Sequence, residues 1–437
     1  MKPKSGLTRF HNCFILRDSK IIKEDLWIRD GKIENPEQVF YVEQLQADVT
    51  VNCEGLLIAP GFIDIQINGG WGVDFSYDSE NVKEGVRKVS KELLSHGVTS
   101  FCPTMVTSDL EKYRKILPLI KKSDGGEHGA TVLGVHLEGP FINMAKKGAH
   151  MEEYIKTPNE GLKTVEEVYG SLDNVVIITL APELPGAYEA IKDLTQMGIK
   201  VALGHSTASL AEGEKAVECG ANLITHLFNA MLPFHHRDPG LVGLLASTTK
   251  QQVFYGIISD GIHTHPSALR IASRTNPEGK FKLIIIRLLM MMMDSRIIHF
   301  ILVSHYTLTH IQFSYSGLVL VSDAVAAQGL ADGNYRIGPQ LVTVEGGRAY
   351  VTGTKVLCGS TTGLDECVAT LKRSLDCSLE YALEAASLHP ARALGIDDRK
   401  GKLNFGYDAD FVMLDPEQIK IKSSWIAGEC VYKCDKN

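Results

Sequence analysis

The 437-residue sequence predicts an α/β protein: a (β/α)8 TIM-like barrel with a small β-sandwich domain formed from both termini. Three observations lead to this prediction. Eight strongly apolar runs occupy the middle of the chain, helical patterns separate most of them, and short alternating runs occur at both ends. Near-continuous apolar runs are typical of parallel strands covered on both faces, and their alternation with helices indicates a barrel.

The two ends of the chain share the same pattern. "FHNCFIL", "DLWIRDGKI" and "EGLLIAP" are short alternating runs near the N-terminus, and "GKLNFGYDADFVMLD", "IKSSWIAGE" and "CVYKC" resemble them at the C-terminus. Such runs are typical of antiparallel strands. They could form two unrelated edge sheets or one domain. We predict one small β domain from residues 1–58 and 402–437, and a barrel from residues 59–401.

The barrel strands are predicted at residues 62–68, 98–104, 132–138, 175–181, 200–205, 223–228, 254–260 and 318–323. A helical tail that starts near Thr362 follows the eighth strand. Five strand ends carry a residue able to do chemistry, namely Glu138, His205, His226, Asp260 and Asp323. In barrels of this type the active site lies at the C-terminal ends of the strands. We therefore expect these side chains to meet.

Glu138, His205 and His226 form a set of one carboxylate and two imidazoles. Three such ligands, with one position left for water, are typical of an open catalytic site for zinc or a similar divalent ion. Asp323 could take the proton of a metal-activated water as general base and return it as general acid. Alone, each histidine would be interpreted as a core residue and Asp323 as a helix cap. Their shared position at strand ends favours the metal site.

Several motifs extend this interpretation: "APGFIDIQINGG", "HLEGPF", "KKGAH", "GHS", "THLFNAMLPFHHRDPG", "SDGIH", "VSDA" and "LCGSTTGLD". In this order, over nearly the whole chain, they closely resemble the N-acetylglucosamine-6-phosphate deacetylases of the amidohydrolase superfamily. The resemblance implies hydrolysis of the acetamide of N-acetyl-D-glucosamine 6-phosphate to D-glucosamine 6-phosphate and acetate, a step of amino-sugar catabolism. It also implies that His150 hydrogen-bonds the substrate carbonyl.

Gln66 and Asn68 stand where many amidohydrolases have two histidines that help to hold a second metal. Amides are poorer ligands for divalent ions than imidazoles. The resemblance therefore implies one divalent ion per subunit, held by Glu138, His205 and His226. Zinc is the expected ion, with cobalt, iron and manganese left open.

The resemblance also implies a set of substrate contacts. Arg237 matches an arginine that reaches the substrate phosphate across a dimer interface, so a homodimer is expected. Arginine suits this role because it offers two parallel donors to a phosphate. The implied substrate-binding residues are Ala149, His150, Asn229, Ala230, Arg237, Asp260, Gly261, Ile262, His263, Leu357, Cys358 and Gly359.

Charge and composition restrict the partners. The net charge of −7 and the pI near 6.1 argue against a nucleic-acid or acidic-membrane partner. Nine cysteines without CxxC pairs and an N-terminus without a signal-peptide pattern favour a cytoplasmic protein. The apolar run at residues 281–303 contains four charged side chains and is a poor candidate for a membrane span.

Residues 280–317 depart from the family pattern as an apolar and basic insertion before the eighth strand. This segment could be a lineage-specific insertion or untranslated sequence carried into a gene model, and the second is preferred. It leaves two alternatives open: a catalytically impaired barrel that acts as a binding protein, and another amidohydrolase that acts on a different amide.

Overall fold

The computed structural model describes residues 6–77, 80–249, 251–275, 317–337 and 340–434. Eight parallel strands form the barrel, as predicted, and they follow one another around it in chain order. Two backbone hydrogen bonds join the last strand to the first. Asp323 N donates to Gln66 O at 2.9 Å, and Asn68 N donates to Ala324 O at 2.7 Å. The insertion expected at 280–317 lies outside the described residues except for Gly317.

The strands around the barrel are β8 (Phe62–Ile67), β11 (Val98–Val106), β13 (Val135–Glu138), β14 (Val175–Leu180), β15 (Lys200–Leu203), β16 (Leu223–Ile224), β17 (Phe254–Ile257) and β18 (Leu318–Leu320). A short strand, β12 (Thr131–Val132), also pairs with β11. A hairpin follows β8 and consists of β9 (Gly69–Gly70) and β10 (Val73–Asp74).

Several barrel strands end before the predicted residue. β15 and β16 stop two residues before His205 and His226, whose backbone φ angles are +49° and +26°. Asp323 has a φ of +46° beyond the end of β18. A positive φ takes a residue out of the extended region and breaks the ladder of hydrogen bonds. The strand predictions are therefore right in position, but those that lead to His205, His226 and Asp323 are too long at the catalytic end.

Helices cover the outside of the barrel. Their apolar faces pack against the outward side chains of the strands in the largest hydrophobic cluster. The helices are α1 (Val82–Glu92), α2 (Leu110–Ile116), α3 (Leu162–Tyr169), α4 (Ala187–Gln196), α5 (Leu210–Glu218), α6 (Pro266–Arg274), α7 (Leu364–Leu375), α8 (Leu379–Ala385) and α9 (Leu388–Leu394). Within the described ranges, no helix has the length and apolar character needed to cross a bilayer.

Short helical turns complete the connections. A π-helical turn spans Gln38–Glu43, and 3-10 turns span Leu93–His96, Leu117–Leu119, Met144–Lys146, Glu152–Tyr154 and Gly240–Ala246.

The two ends of the chain form two sheets. One contains β5 (Lys32–Ile33), β4 (Leu26–Arg29), β1 (Thr8–His11) and β6 (Val49–Asn52), in that order. The other contains β24 (Glu429–Lys433), β23 (Lys420–Ile426), β22 (Phe411–Asp415), β7 (Leu57–Pro60), β2 (Phe14–Arg17) and β3 (Lys20–Lys23).

The packing of these sheets confirms one small β domain built from both termini. β7 pairs with β2 on one side and with β22 from the far end of the chain on the other. Phe10 packs edge-on against Phe411 and Trp425, with ring centroids 5.3 and 5.0 Å away. The alternative of two unrelated edge sheets is wrong. The domain limits at residues 58/59 and 401/402 stay a prediction.

A three-stranded antiparallel sheet between β18 and α7 was not predicted. It consists of β19 (Gly333–Ile337), β20 (Gln340–Glu345) and β21 (Arg348–Val351). The turn between β20 and β21 is Gly346-Gly347, and both glycines have positive φ. A Gly-Gly pair between alternating runs is a hairpin signal, so the sequence contained the information. The predicted helical tail follows only after this sheet.

Candidate active site

The ends of three barrel strands, β13, β15 and β16, bring Glu138, His205 and His226 together. Glu138 is the last residue of β13, and each histidine lies two residues beyond its strand. Glu138 Oε1 is 2.9 Å from the Nε2 atom of each histidine, and the two Nε2 atoms are 3.1 Å apart. All three residues are buried. The carboxylate and the two imidazoles that the sequence predicted therefore converge on one point.

The electrostatics of this group are those of a cation site. Burial disfavours the ionised form of Glu138, but hydrogen bonds with His205 and His226 outweigh it and hold the pKa well below its usual value. Burial alone would lower the pKa of His226, yet the hydrogen bond and charge of Glu138 raise it to about 9. The carboxylate thus draws a proton onto an imidazole. A divalent ion would take the place of that proton.

The orientation of His205 suits a metal ligand. Its Nδ1 lies 2.8 Å from the carbonyl oxygen of Lys146. A carbonyl can only accept a hydrogen bond, so Nδ1 carries a proton, and Nε2, which faces Glu138 and His226, is the atom left to bind a metal. The donor set therefore fits a divalent ion, with one carboxylate and two imidazole nitrogens.

His150 also lies close to this group, and its hydrogen bonds give it a different role. One ligand atom each from Glu138, His150 and His205 lies within 4.8 Å of the others. The Nδ1 atom of His150, however, accepts from Thr107 N at 3.3 Å and contacts Thr107 Oγ1 at 2.7 Å. A backbone N–H can only donate, so Nε2 of His150 holds the proton and has no lone pair for a metal.

Neutral His150 is therefore a hydrogen-bond donor to the site. Burial lowers its pKa to about 3, with a further contribution from His205, so the ring is uncharged at neutral pH. Gly139 lies next to this contact and has a φ of +77°. A Cβ atom there would lie 2.3 Å from Thr107 Oγ1, so the position requires glycine.

Asp323 lies beyond the end of β18, the strand that closes the barrel, and contacts the two amides of the first strand. Its Oδ1 accepts from Asn68 Nδ2 at 2.8 Å and from Gln66 Nε2 at 3.2 Å. Gln66 Nε2 also donates to Glu138 Oε2 at 3.0 Å. Burial and then repulsion from Glu138 raise the pKa of Asp323 to about 6. The two amides on the first strand thus act as donors that hold the carboxylates.

The chain matches the Amidohydrolase family over residues 57–434. It is a member of this family.

The following proteins, which are similar to this chain, have a more specific name than the family. N-acetylglucosamine-6-phosphate deacetylase of Bos taurus is 49% identical over 437 residues, which cover 99% of this chain and 97% of that protein. A crystal structure of N-acetylglucosamine-6-phosphate deacetylase from Pasteurella multocida aligns with a TM-score of 0.78 at 26% identity, covering 97% of this chain and 99% of that chain.

A third comparison includes a ligand. The structure of a mutant N-acetyl-D-glucosamine-6-phosphate deacetylase from Mycobacterium smegmatis, in complex with N-acetyl-D-glucosamine-6-phosphate, aligns with a TM-score of 0.74 at 26% identity. It covers 98% of this chain and 99% of that chain. The resemblance that the motifs indicated is confirmed.

Three predicted substrate-binding stretches of this amidohydrolase lie beside the metal-site residues. The ring of His150, which follows Ala149, is 4.4 Å from that of His205. Asn229 N donates to His226 O at 2.9 Å, and Ala230 O accepts from Ser206 N at 3.1 Å. The third stretch, Leu357, Cys358 and Gly359, precedes Ser360, whose N–H donates to Asp323 O at 3.0 Å.

The fourth stretch of the amidohydrolase, Asp260 to His263, is organised by its own carboxylate. Asp260 Oδ1 accepts from the backbone N–H groups of Ile262 and His263, both at 2.8 Å. Its Oδ2 lies 2.6 Å from His263 Nδ1. The Asp260 side chain is fully buried. Its carboxylate thereby orients the ring of His263. Direct contact of Asp260 and Gly261 with a substrate stays a prediction.

Arg237 lies on an exposed loop at residues 233–238. Within the described residues its guanidinium takes part in no ion pair, and neighbouring Phe234 is 65% exposed. The role of Arg237 toward a phosphate stays a prediction.

Two site residues of the amidohydrolase were missed from the sequence. Thr107 follows the second barrel strand in "PTMVTS", and Glu183 follows the fourth in "LAPELPG". Both occupy the strand-end position that marks a functional residue in a barrel. Applying that criterion to every strand would have found them.

Proposed function

We propose that this chain hydrolyses the acetamide of N-acetyl-D-glucosamine 6-phosphate to D-glucosamine 6-phosphate and acetate, as a step of amino-sugar catabolism. One observation carries the proposal: Glu138, His205 and His226 converge, and the donor His150 packs against His205 while Gln66 bonds to both Glu138 and Asp323. The names of the similar proteins support the choice of substrate.

Glu138, His205 and His226 would hold one divalent ion per subunit, with zinc the preferred ion. Such an ion, when bound, polarises a carbonyl and lowers the pKa of water toward about 7. Gln66 and Asn68 support a single ion. Their amide nitrogens, which offer no lone pair, face the carboxylates where a second cation would have to lie.

Asp323 is the proton carrier. With a pKa near 6 its carboxylate is largely ionised at neutral pH, so it can accept a proton from the attacking water and return it to the departing amine. The hydrogen bonds from Gln66 and Asn68 both fall on Oδ1, which leaves Oδ2 for the proton.

His150 stabilises the developing negative charge on the acetyl oxygen. Thr107 holds its ring in the tautomer with Nε2–H, and a fixed donor aimed at an oxyanion costs no reorganisation when the charge forms.

Arg237 and His263 are proposed to bind the phosphorylated sugar, with Arg237 acting across a cytoplasmic homodimer. Arg237→Ala should raise KM with little change in kcat, because a contact with the phosphate binds the substrate and the transition state equally. Light scattering of the purified chain tests the dimer, and a monomer with unaltered KM in the variant would contradict it.

The decisive experiment measures acetate release from N-acetylglucosamine 6-phosphate, with metal content determined on the same sample. We expect turnover with one equivalent of metal, loss of turnover on chelation, and recovery when zinc is returned. N-acetylglucosamine without the phosphate is the matched control and should show a higher KM.

Other results of this experiment would support a different metal site or one of the alternative functions. Nearly two equivalents of metal would contradict the mononuclear site. Turnover of a different amide in place of the sugar phosphate would indicate another amidohydrolase. A metal-loaded chain that hydrolyses neither would indicate a binding protein.

A further inference from the structure

Glu183 lies beyond the end of β14, and its carboxylate accepts four hydrogen bonds. Oε1 accepts from Asn143 Nδ2 at 2.9 Å, Thr207 N at 2.6 Å and Thr207 Oγ1 at 3.1 Å. Oε2 accepts from Ser206 Oγ at 2.7 Å. These donors come from the loops that follow two other strands, β13 and β15. One carboxylate thus ties three loops of the catalytic end together.

Both loops that Glu183 holds are in contact with His205. The chain of Ser206 and Thr207 continues directly from His205, whose φ of +49° is unfavourable for a side chain with a Cβ atom. Asn143, which the same carboxylate holds, donates its backbone N–H to His205 O at 2.8 Å. The backbone on both sides of the imidazole is therefore anchored to one point.

The Asn143 loop also supplies the acceptor that sets the His205 tautomer. The side chain of Asn143 caps the short helix Met144–Lys146 through Ala145 N at 2.9 Å. That helix ends at Lys146, whose carbonyl lies 2.8 Å from His205 Nδ1. Glu183 is thus linked to the imidazole through the backbone of His205 and through its proton acceptor.

We propose that Glu183 is a positioning residue that holds His205 in the orientation and tautomer needed to bind the metal. The carboxylate oxygens of Glu183 accept four hydrogen bonds, so Glu183 is not itself a metal ligand. This inference rests on the metal site of the proposed function. Groups that orient a metal-binding histidine typically change metal affinity by about 10- to 100-fold when they are removed.

A graded pair of substitutions tests the role. Glu183→Ala removes all four hydrogen bonds and should weaken Zn²⁺ binding by about 10- to 100-fold. Glu183→Gln keeps the shape and most of the hydrogen bonds but loses the charge that strengthens them, so its affinity should fall between those of the wild type and the alanine variant. Glu189→Gln is the matched control because it removes the same charge from an exposed position on α4.

The readouts separate positioning from structural support. Zn²⁺ affinity is measured on the metal-free chains by competition with a chelator, and thermal unfolding of the same samples reports the fold. For Glu183→Ala we expect weak binding, an unfolding midpoint of the metal-free chain close to that of wild type, and a kcat that recovers at saturating Zn²⁺.

Two results would overturn the role of Glu183. One is wild-type affinity in the alanine variant. The other is weaker binding that accompanies a lowered midpoint of the metal-free chain in both Glu183 variants, which would make the role structural. If Glu183→Ala does not fold, the Zn²⁺ affinity of Glu183→Gln is compared with that of Glu189→Gln. Equal affinities would contradict the positioning role. A wild-type chain that binds no divalent ion would instead contradict the proposed function.

Discussion

Two clusters of buried charge in this molecule differ in how their charges are balanced. Lys400 lies where the small β domain meets the barrel, with its Nζ 2.5 Å from Asp410 Oδ2 and 3.1 Å from Asp408 Oδ2. In the cluster at the catalytic end, two imidazole nitrogens lie 3.1 Å apart and Glu138 repels Asp323.

This difference in charge balance distinguishes a cluster with a structural role from one with a functional role. At Lys400 each charge faces the opposite charge, and Asp410 Oδ1 also accepts from Ala427 N at 2.9 Å. At the catalytic end Glu138 faces the two imidazoles, but the imidazoles also face each other, and Asp323 has no ion-pair partner among the described residues. Buried charges are costly unless they are paired, so an arrangement that its own chain leaves unbalanced indicates a ligand. Four substitutions test this comparison.

Asp323→Asn should have the largest effect. The amide keeps the size of the side chain but cannot accept the proton of water, and loss of a general base typically lowers the rate by about 10²- to 10⁴-fold. Acetate release measures kcat, and metal analysis on the same sample is the control. A variant with normal metal content and near wild-type kcat would remove Asp323 from the mechanism.

Lys400→Met should affect stability instead of chemistry. It leaves the buried carboxylate of Asp410 without its cation, whereas Asp408 keeps ion pairs with Lys32 and Arg399. Loss of the buried pair should lower the free energy of unfolding by about 3–5 kcal/mol. Urea unfolding measures this change. Lys163→Met, at an exposed ion pair, is the control and should have almost no effect. An equal loss in the two variants, or a changed kcat in folded Lys400→Met, would contradict the comparison.

Asp64 is a buried carboxylate with no cation within ion-pair distance in the described part of the chain. Its Oδ1 accepts from the backbone N–H groups of Gln66 and Ser322, both at 3.3 Å. Burial raises its pKa from 3.8 to about 7. Because the folded chain binds this proton more tightly than the unfolded chain, the stabilising contribution is full below about pH 4 and is lost as the pH rises through about 7.

Asp64→Asn should remove this dependence. The wild type should lose about 2–4 kcal/mol of unfolding free energy between pH 4 and pH 8 through this group, and the variant should not. Urea unfolding of both chains across this range measures the difference, in which contributions from other groups cancel. Parallel curves for the two chains would show that Asp64 keeps an ordinary pKa.

Thr107→Val should have the smallest effect. It removes the hydroxyl that contacts His150 Nδ1 but keeps the backbone N–H, so one of the two restraints on the tautomer survives. The value of a single hydrogen bond suggests a fall in kcat of roughly threefold to tenfold. Metal content should stay normal, and Thr107→Ser should restore the rate. Failure of serine to do so would point to packing as the cause.

The barrel strands and the residues that meet at its catalytic end were predictable because each can be recognised in a short stretch of the sequence. Parallel strands such as β14 and β15 are mostly apolar, and Glu138, His205 and His226 interrupt that pattern at the ends of strands. The order of the strands around the barrel follows from their order in the chain.

Other features depend on contacts between distant residues, and these contacts cannot be predicted from any one segment of the sequence. The tautomer of His150 depends on Thr107, 43 residues away, and that of His205 on a carbonyl 59 residues away. Gln66 and Asn68 could be interpreted from the sequence only as missing ligands. Their contact with Asp323 shows that they are hydrogen-bond donors. The sheet β19–β21 was missed for a simpler reason, since its Gly-Gly turn was available locally.

The hydrogen bond from Asp323 N to Gln66 O has a consequence for the folding of the enzyme. It joins residues 257 positions apart, and it places Asp323 where the last strand of the barrel meets the first. Contacts of such long range form late, because the intervening chain must first be ordered. During refolding, the return of acetate release should therefore trail the recovery of helical signal, and no fragment lacking either end of the ring should turn over substrate.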